Sequence, residues 1–164
     1  MDTIIDTDIE KLINSEDLLR ISISIKKLYI TIFNNARKIY NNNQELSLYL
    51  SALIGMETRN INFLENLLLI LQKKNYNKKL IPIEEIQLRH YIYMQIYNYL
   101  PRYIMTFLNL SPKEISNIER LKKIKSELKD SWINYLKKLK INNLNMSESI
   151  IDKLIEIELD DNLP

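Results

Sequence analysis

Cysteine is absent, glycine and histidine occur once each, and proline four times among 164 residues. Without cysteine the chain can form no disulfide, zinc–thiolate site or iron–sulfur cluster, and it has no thiol nucleophile. One histidine excludes a multi-histidine metal site. One glycine cannot support the GxxxxGKS/T or GxGxxG phosphate loops or the GxSxG nucleophile elbow, and HExxH is also missing. So little glycine and proline leaves scant material for hairpin turns. The sequence therefore predicts an all-α fold. We expect a single helical domain of about six helices over residues 1–164, with acidic ends free to be mobile. No cofactor is expected, and no catalysis by the isolated chain.

Long apolar runs are missing too. The longest, Leu67 to Leu71, is far too short to span a bilayer. The first residues, Met1 to Asp6, are acidic and lack a basic n-region, so no secretory signal is expected and the chain reads as cytoplasmic. Hydrophobic residues make up 46% and charged residues 27%, a globular composition with enough material for one core.

Net charge is only +2, but it is unevenly spread. Asp2, Asp6, Asp8, Glu10, Glu16 and Asp17 gather at the start. Glu148, Asp152, Glu156, Glu158, Asp160 and Asp161 gather at the end. The middle is correspondingly basic. Lys73, Lys74, Lys78 and Lys79 cluster in an expected loop, and Arg120, Lys122, Lys123 and Lys125 at an expected helix start. Such clusters suit contact with phosphates. They equally suit a solvated face.

Apolar spacing places the helices. A short one is expected over ~3–14. The next starts at Ser15, with Glu16 and Asp17 in its first turn, and carries Leu18, Ile21, Ile25, Leu28 and Ile32. Two further helices are expected on either side of Gly55, over about 44–54 and 57–74. The second of these is apolar nearly all round, so Ile61 to Leu71 is expected at the centre of the fold. Pro82 begins another helix, which Pro101 breaks. Ser111-Pro112-Lys113-Glu114 reads as a capping box for a helix carrying Ile118, Leu121, Ile124, Leu128, Trp132, Tyr135 and Leu139. A last helix is expected at about 147–159.

Gly55 stands four residues before Arg59-Asn60, which opens the apolar run. If a helix begins there, a guanidinium and an amide sit beside free backbone N–H groups, and such an end favours an anion. Arg59 and Asn60 are the first candidates for a nucleotide or phosphate contact, with Lys73 and Lys74 as weaker contributors. Arg89 and His90 form a second candidate pair. The plainer reading of Arg59 is a solvated side chain at a helix corner, and of His90 a structural histidine. Tyr91, Tyr93, Tyr97, Tyr99 and Tyr103 could stack bases, but their spacing keeps them off a single helix face. Carboxylate pairs such as Glu84-Glu85 point apart on a helix and are read as solvated.

The stretch Leu53-Ile54-Gly55-Met56-Glu57-Thr58-Arg59-Asn60, with the apolar run after it, resembles a segment of the C-terminal domain of archaeal primase large subunits. That domain normally holds an iron–sulfur cluster through four cysteines, which this chain lacks. It is more similar to the small accessory primase subunits of the PriX family, which resemble that domain without the cluster. The likeness covers about 20 residues around Gly55. It implies a non-catalytic subunit that joins the catalytic and large primase subunits. Its implied role is to help bind the initiating nucleotide triphosphate and single-stranded DNA template, without a membrane. Leu88-Arg89-His90 with Met94-Gln95 is similar to a segment of eukaryotic primase large subunits, and both likenesses cannot be the same family segment. Leu100-Pro101-Arg102-Tyr103 through Leu139 looks like the helical domain of GINS replication subunits. Outside replication, a helical interaction module remains open, such as a viral adaptor or a small subunit of an RNA-guided complex.

Overall fold

A computed structural model describes residues 13–74, 83, 86–87, 90–91, 94, 100–110, 115, 117–142 and 148–159. Every regular element among them is helical, and there is no strand. Among the described residues four long helices and one short one are bounded, against the six or so expected over the whole chain: α1 (Ser15–Ile39), α2 (Gln44–Lys74), α3 (Arg102–Leu108), α4 (Ile118–Asn142) and α5 (Glu148–Leu159). The expected helices at ~3–14 and from Pro82 lie wholly or largely outside the described residues.

One expected break between helices does not occur. Gly55 does not divide two helices. α2 runs unbroken for 31 residues, and Gly55 has no positive φ. Nothing in the flanking sequence ends a helix there, and one glycine costs only about 1 kcal/mol. The apolar stripe therefore carries straight through.

Asparagine starts three of the long helices. Asn14, not Ser15, caps α1: its side chain accepts from the Asp17 N–H at 2.8 Å, and Asp17 accepts from the Asn14 N–H at 3.1 Å. This reciprocal pair satisfies two otherwise orphaned donors. Asn43 accepts from the Leu46 N–H at 3.1 Å, opening α2 directly after the short connection from α1. Asn117 accepts from the Arg120 N–H at 2.8 Å, so α4 starts there and not at Ser111. Residues 111–114, the expected capping box, lie outside the description.

α1 and α2 form an antiparallel hairpin whose facing stripes are apolar. α1 contributes Leu18, Leu19, Ile21, Ile25, Tyr29, Phe33 and Ala36. α2 contributes Leu46, Leu50, Leu53, Ile61, Leu64 and Leu67. Phe107 of α3 seals one side, its ring edge-on to Tyr29 at 5.3 Å and tilted to Phe33 at 6.0 Å. α4 adds Leu121, Leu128, Trp132, Leu136 and Leu139, and α5 adds Ile151 and Leu154. These residues form one continuous core drawn from all five helices. The expected central burial of Ile61 to Leu71 holds for one face only. Phe63, Leu69 and Ile70 remain 44%, 55% and 53% exposed.

Candidate functional site

Lys26, Glu57, Lys125 and Glu158 come from four different helices and meet in the core. Lys26 Nζ donates to Glu57 Oε2 at 2.9 Å and to Glu158 Oε1 at 2.8 Å. Lys125 Nζ donates to the other Glu57 oxygen at 2.8 Å. Glu57 is fully buried and Lys26 nearly so. Two ammonium and two carboxylate groups balance, which is the condition for holding charge out of water.

The sequence places these charges in the seams. Lys26 falls in the series Leu19, Ser22, Lys26, Tyr29, Phe33, Ala36, stepping by three and four residues. Glu57 continues Leu46, Leu50 and Leu53. Lys125 sits between Leu121 and Leu128, and Glu158 follows Ile151 and Leu154. Each charge therefore occupies a core position of its helix. The sequence offered Lys125 and Glu158 only as members of charged clusters, Glu57 only within the stretch before Arg59, and did not single out Lys26. A charge on an apolar step of three and four was the available signal.

The electrostatics fix the protonation states. Burial alone would lower the Lys26 pKa, but the charges and hydrogen bonds of Glu158 and Glu57 outweigh it and hold the ammonium above its ordinary range. Burial alone would raise the Glu57 pKa, yet Lys26 and Lys125 outweigh it and the carboxyl is held down. Tyr29 is pushed well above its usual value by burial, with Glu158 and Glu57 adding to the effect. Lys26 is thus favoured as the ammonium, Glu57 as the carboxylate and Tyr29 as the neutral phenol. The adjoining cavity, of about 10 Å³, admits about one water. The arrangement is a clamp that ties α1, α2, α4 and α5 together.

The sequence candidates lie elsewhere. Arg59 is exposed and Asn60 half-buried, both in mid-helix, fifteen residues beyond the α2 start at Gln44. The backbone N–H groups there are engaged in the helix, so the expected helix-start anion geometry is not available. Lys73 and Lys74 belong to the last turn of α2 and not to a loop, where cations suit the helix dipole. Lys73 is exposed. His90 is helical and exposed, Tyr91 is half-buried against the core, and Arg89 lies outside the described residues.

The structure does bring Arg59 and Lys73 onto one face. Residues 59, 63, 66, 70 and 73 step by four and three, giving a stripe of Arg59, Phe63, Asn66, Ile70 and Lys73, with Asn62 and Leu69 alongside. It extends about 21 Å along α2. No acidic residue stands on it, and Arg59 makes no ion pair among the described residues. Among those residues no group of three or more His, Cys, Asp or Glu could hold a metal ion, and no helix is long and apolar enough to cross a membrane. No protein-family model, curated protein or solved structure matches the chain.

Proposed function

We propose that the chain is a non-catalytic accessory subunit of a DNA primase. In this reading it joins the catalytic and large subunits and helps hold the initiating nucleotide triphosphate and the single-stranded template. The supporting observation is the outward face of α2. The segment that carries the resemblance to primase large subunits turns one face to the core and leaves Arg59, Asn62, Phe63, Asn66 and Lys73 open to solvent. Arg59 can grip a phosphate through paired N–H donors. Asn62 and Asn66 offer amides on the same side, and Lys73 a second cation. Phe63 and Ile70 suit contact with a base or a neighbouring subunit. The anion contact then rests on side chains alone.

Co-expression with the catalytic and large primase subunits tests this. A stable ternary complex is expected at micromolar concentration and moderate salt. Separate elution of the chain would defeat the proposal, and co-elution with GINS subunits would replace it.

A further inference from the structure

We infer that an open cavity between α3 and α4 receives an apolar side chain from an acidic peptide of a partner protein. The basic cluster at the start of α4 divides in the fold. Lys125 turns inward to Glu57, and Lys122 lies 5.8 Å from the centroid of the Tyr49 ring. Arg120 and Lys123 instead line a cavity of about 280 Å³. Its floor is apolar: Phe107 and Ile124 are buried and Leu110 half-buried. Thr106 stands at the mouth, its hydroxyl donating to the Arg102 carbonyl at 2.9 Å. Glu127 is the one carboxylate on the lining.

Shape and charge together select the occupant. This space is many times the volume that admits one water, so it accepts a large side chain such as leucine. An apolar floor gains from being covered. Arg120 and Lys123 are three residues apart and therefore neighbours on the helix surface. Both are exposed, and neither has an ion pair among the described residues. Two cations at the rim of an apolar recess complement an apolar anchor flanked by carboxylates. A nucleic acid backbone fits less well, because the apolar floor offers a phosphate nothing polar. The inference rests on the proposed role as a subunit only in supplying a partner. The cavity itself can be tested on the full chain alone, so its failure would leave the co-elution result standing.

The probe is a short fluorescein-labelled peptide of alternating Asp and Leu, read by fluorescence anisotropy. Saturable binding is expected, and the Asp-Ser and Lys-Leu counterparts should bind at least roughly tenfold more weakly. Arg120→Ala with Lys123→Ala should weaken binding about tenfold by removing the rim charge. Thr106→Trp, at an exposed position, should block the mouth and weaken binding similarly while the helical circular dichroism stays unchanged. Equal binding of the Asp-Leu and Asp-Ser peptides would overturn the inference. So would unchanged affinity in both variants, or a single-stranded oligonucleotide binding at these residues where the acidic peptide does not.

Discussion

Glu57 and Arg59 are two residues apart on α2 and live in opposite environments. A step of two residues turns a helix by about 200°. Glu57 therefore faces the core between Lys26 and Lys125, while Arg59 faces water. The inward charge has both carboxylate oxygens bonded, at 2.9 and 2.8 Å, and fixes how four helices meet. The outward charge fixes nothing in the fold, which leaves it available to a ligand or partner. The exposed ion pairs resemble Arg59 more than Glu57. Arg20–Glu16 at 2.8 Å, Lys27–Glu65 at 3.6 Å and Lys140–Asp152 at 2.7 Å are screened by solvent and contribute little each.

The inward side is the more sensitive. Glu57→Gln keeps the shape of the side chain and removes its charge. It leaves Lys125 facing a neutral amide and Lys26 with Glu158 alone. Breaking a buried pair from one side costs about 3–5 kcal/mol, and urea unfolding should show a loss of that order. The same group sets the acid limit. Its folded pKa is depressed, so its contribution is present above the ordinary carboxylate value and is lost as pH falls through the folded one. Lys26 is raised, so its contribution is present below the ordinary lysine value and lost only in strong alkali. Stability should thus hold through neutral pH and fall below the usual carboxylate range, with a shallower acid limb in Glu57→Gln. A cost under about 1 kcal/mol would mean the clamp is not closed in solution.

On the outward side the expected effect is on function. Arg59→Ala should leave the unfolding midpoint nearly unchanged, within about 0.5 kcal/mol, as for most surface substitutions. In the proposed primase complex, loss of a charge-assisted contact costs about 1.5–3 kcal/mol, so initiation should weaken roughly ten- to a hundredfold. Elongation of a preformed primer should hardly change. Equal losses in both assays would indicate an assembly defect, and unaffected initiation would remove Arg59 from the site.

Periodicity made much of the frame legible. Six of the seven apolar residues named for α4, from Leu121 to Leu139, are buried at their expected spacing, and Ile118 is half-buried. The same rule misplaced Leu28, which is 42% exposed, and missed Tyr29 and Phe33, which follow the seam by steps of three and four. Cap positions slipped for a related reason. Asparagine and serine both suit a helix start, and sequence does not rank Asn14 above Ser15 or Asn117 above Ser111. The clamp was missed because its partners lie up to 132 residues apart, a separation no local pattern encodes. Each of its members was nonetheless visible alone, as a charge on an apolar stripe.

Gly55 offers the smallest and sharpest test of the two faces. It was expected between two helices, but in the fold it lies half-buried within a continuous one, on the same helical face as Arg59. A Cβ built there meets nothing within 4 Å, so alanine fits without displacement. Alanine also restricts the unfolded chain and favours helix over glycine by about 0.5–1 kcal/mol. Gly55→Ala should therefore raise the melting temperature by roughly 1–4 °C for a chain of this size. A fall instead would mean that α2 bends or breaks at Gly55 in solution. If stability rises while affinity for the primase subunits drops, the bare backbone of Gly55 is where a partner approaches closely. In that case the outward face extends one helical turn beyond Arg59 toward the start of α2.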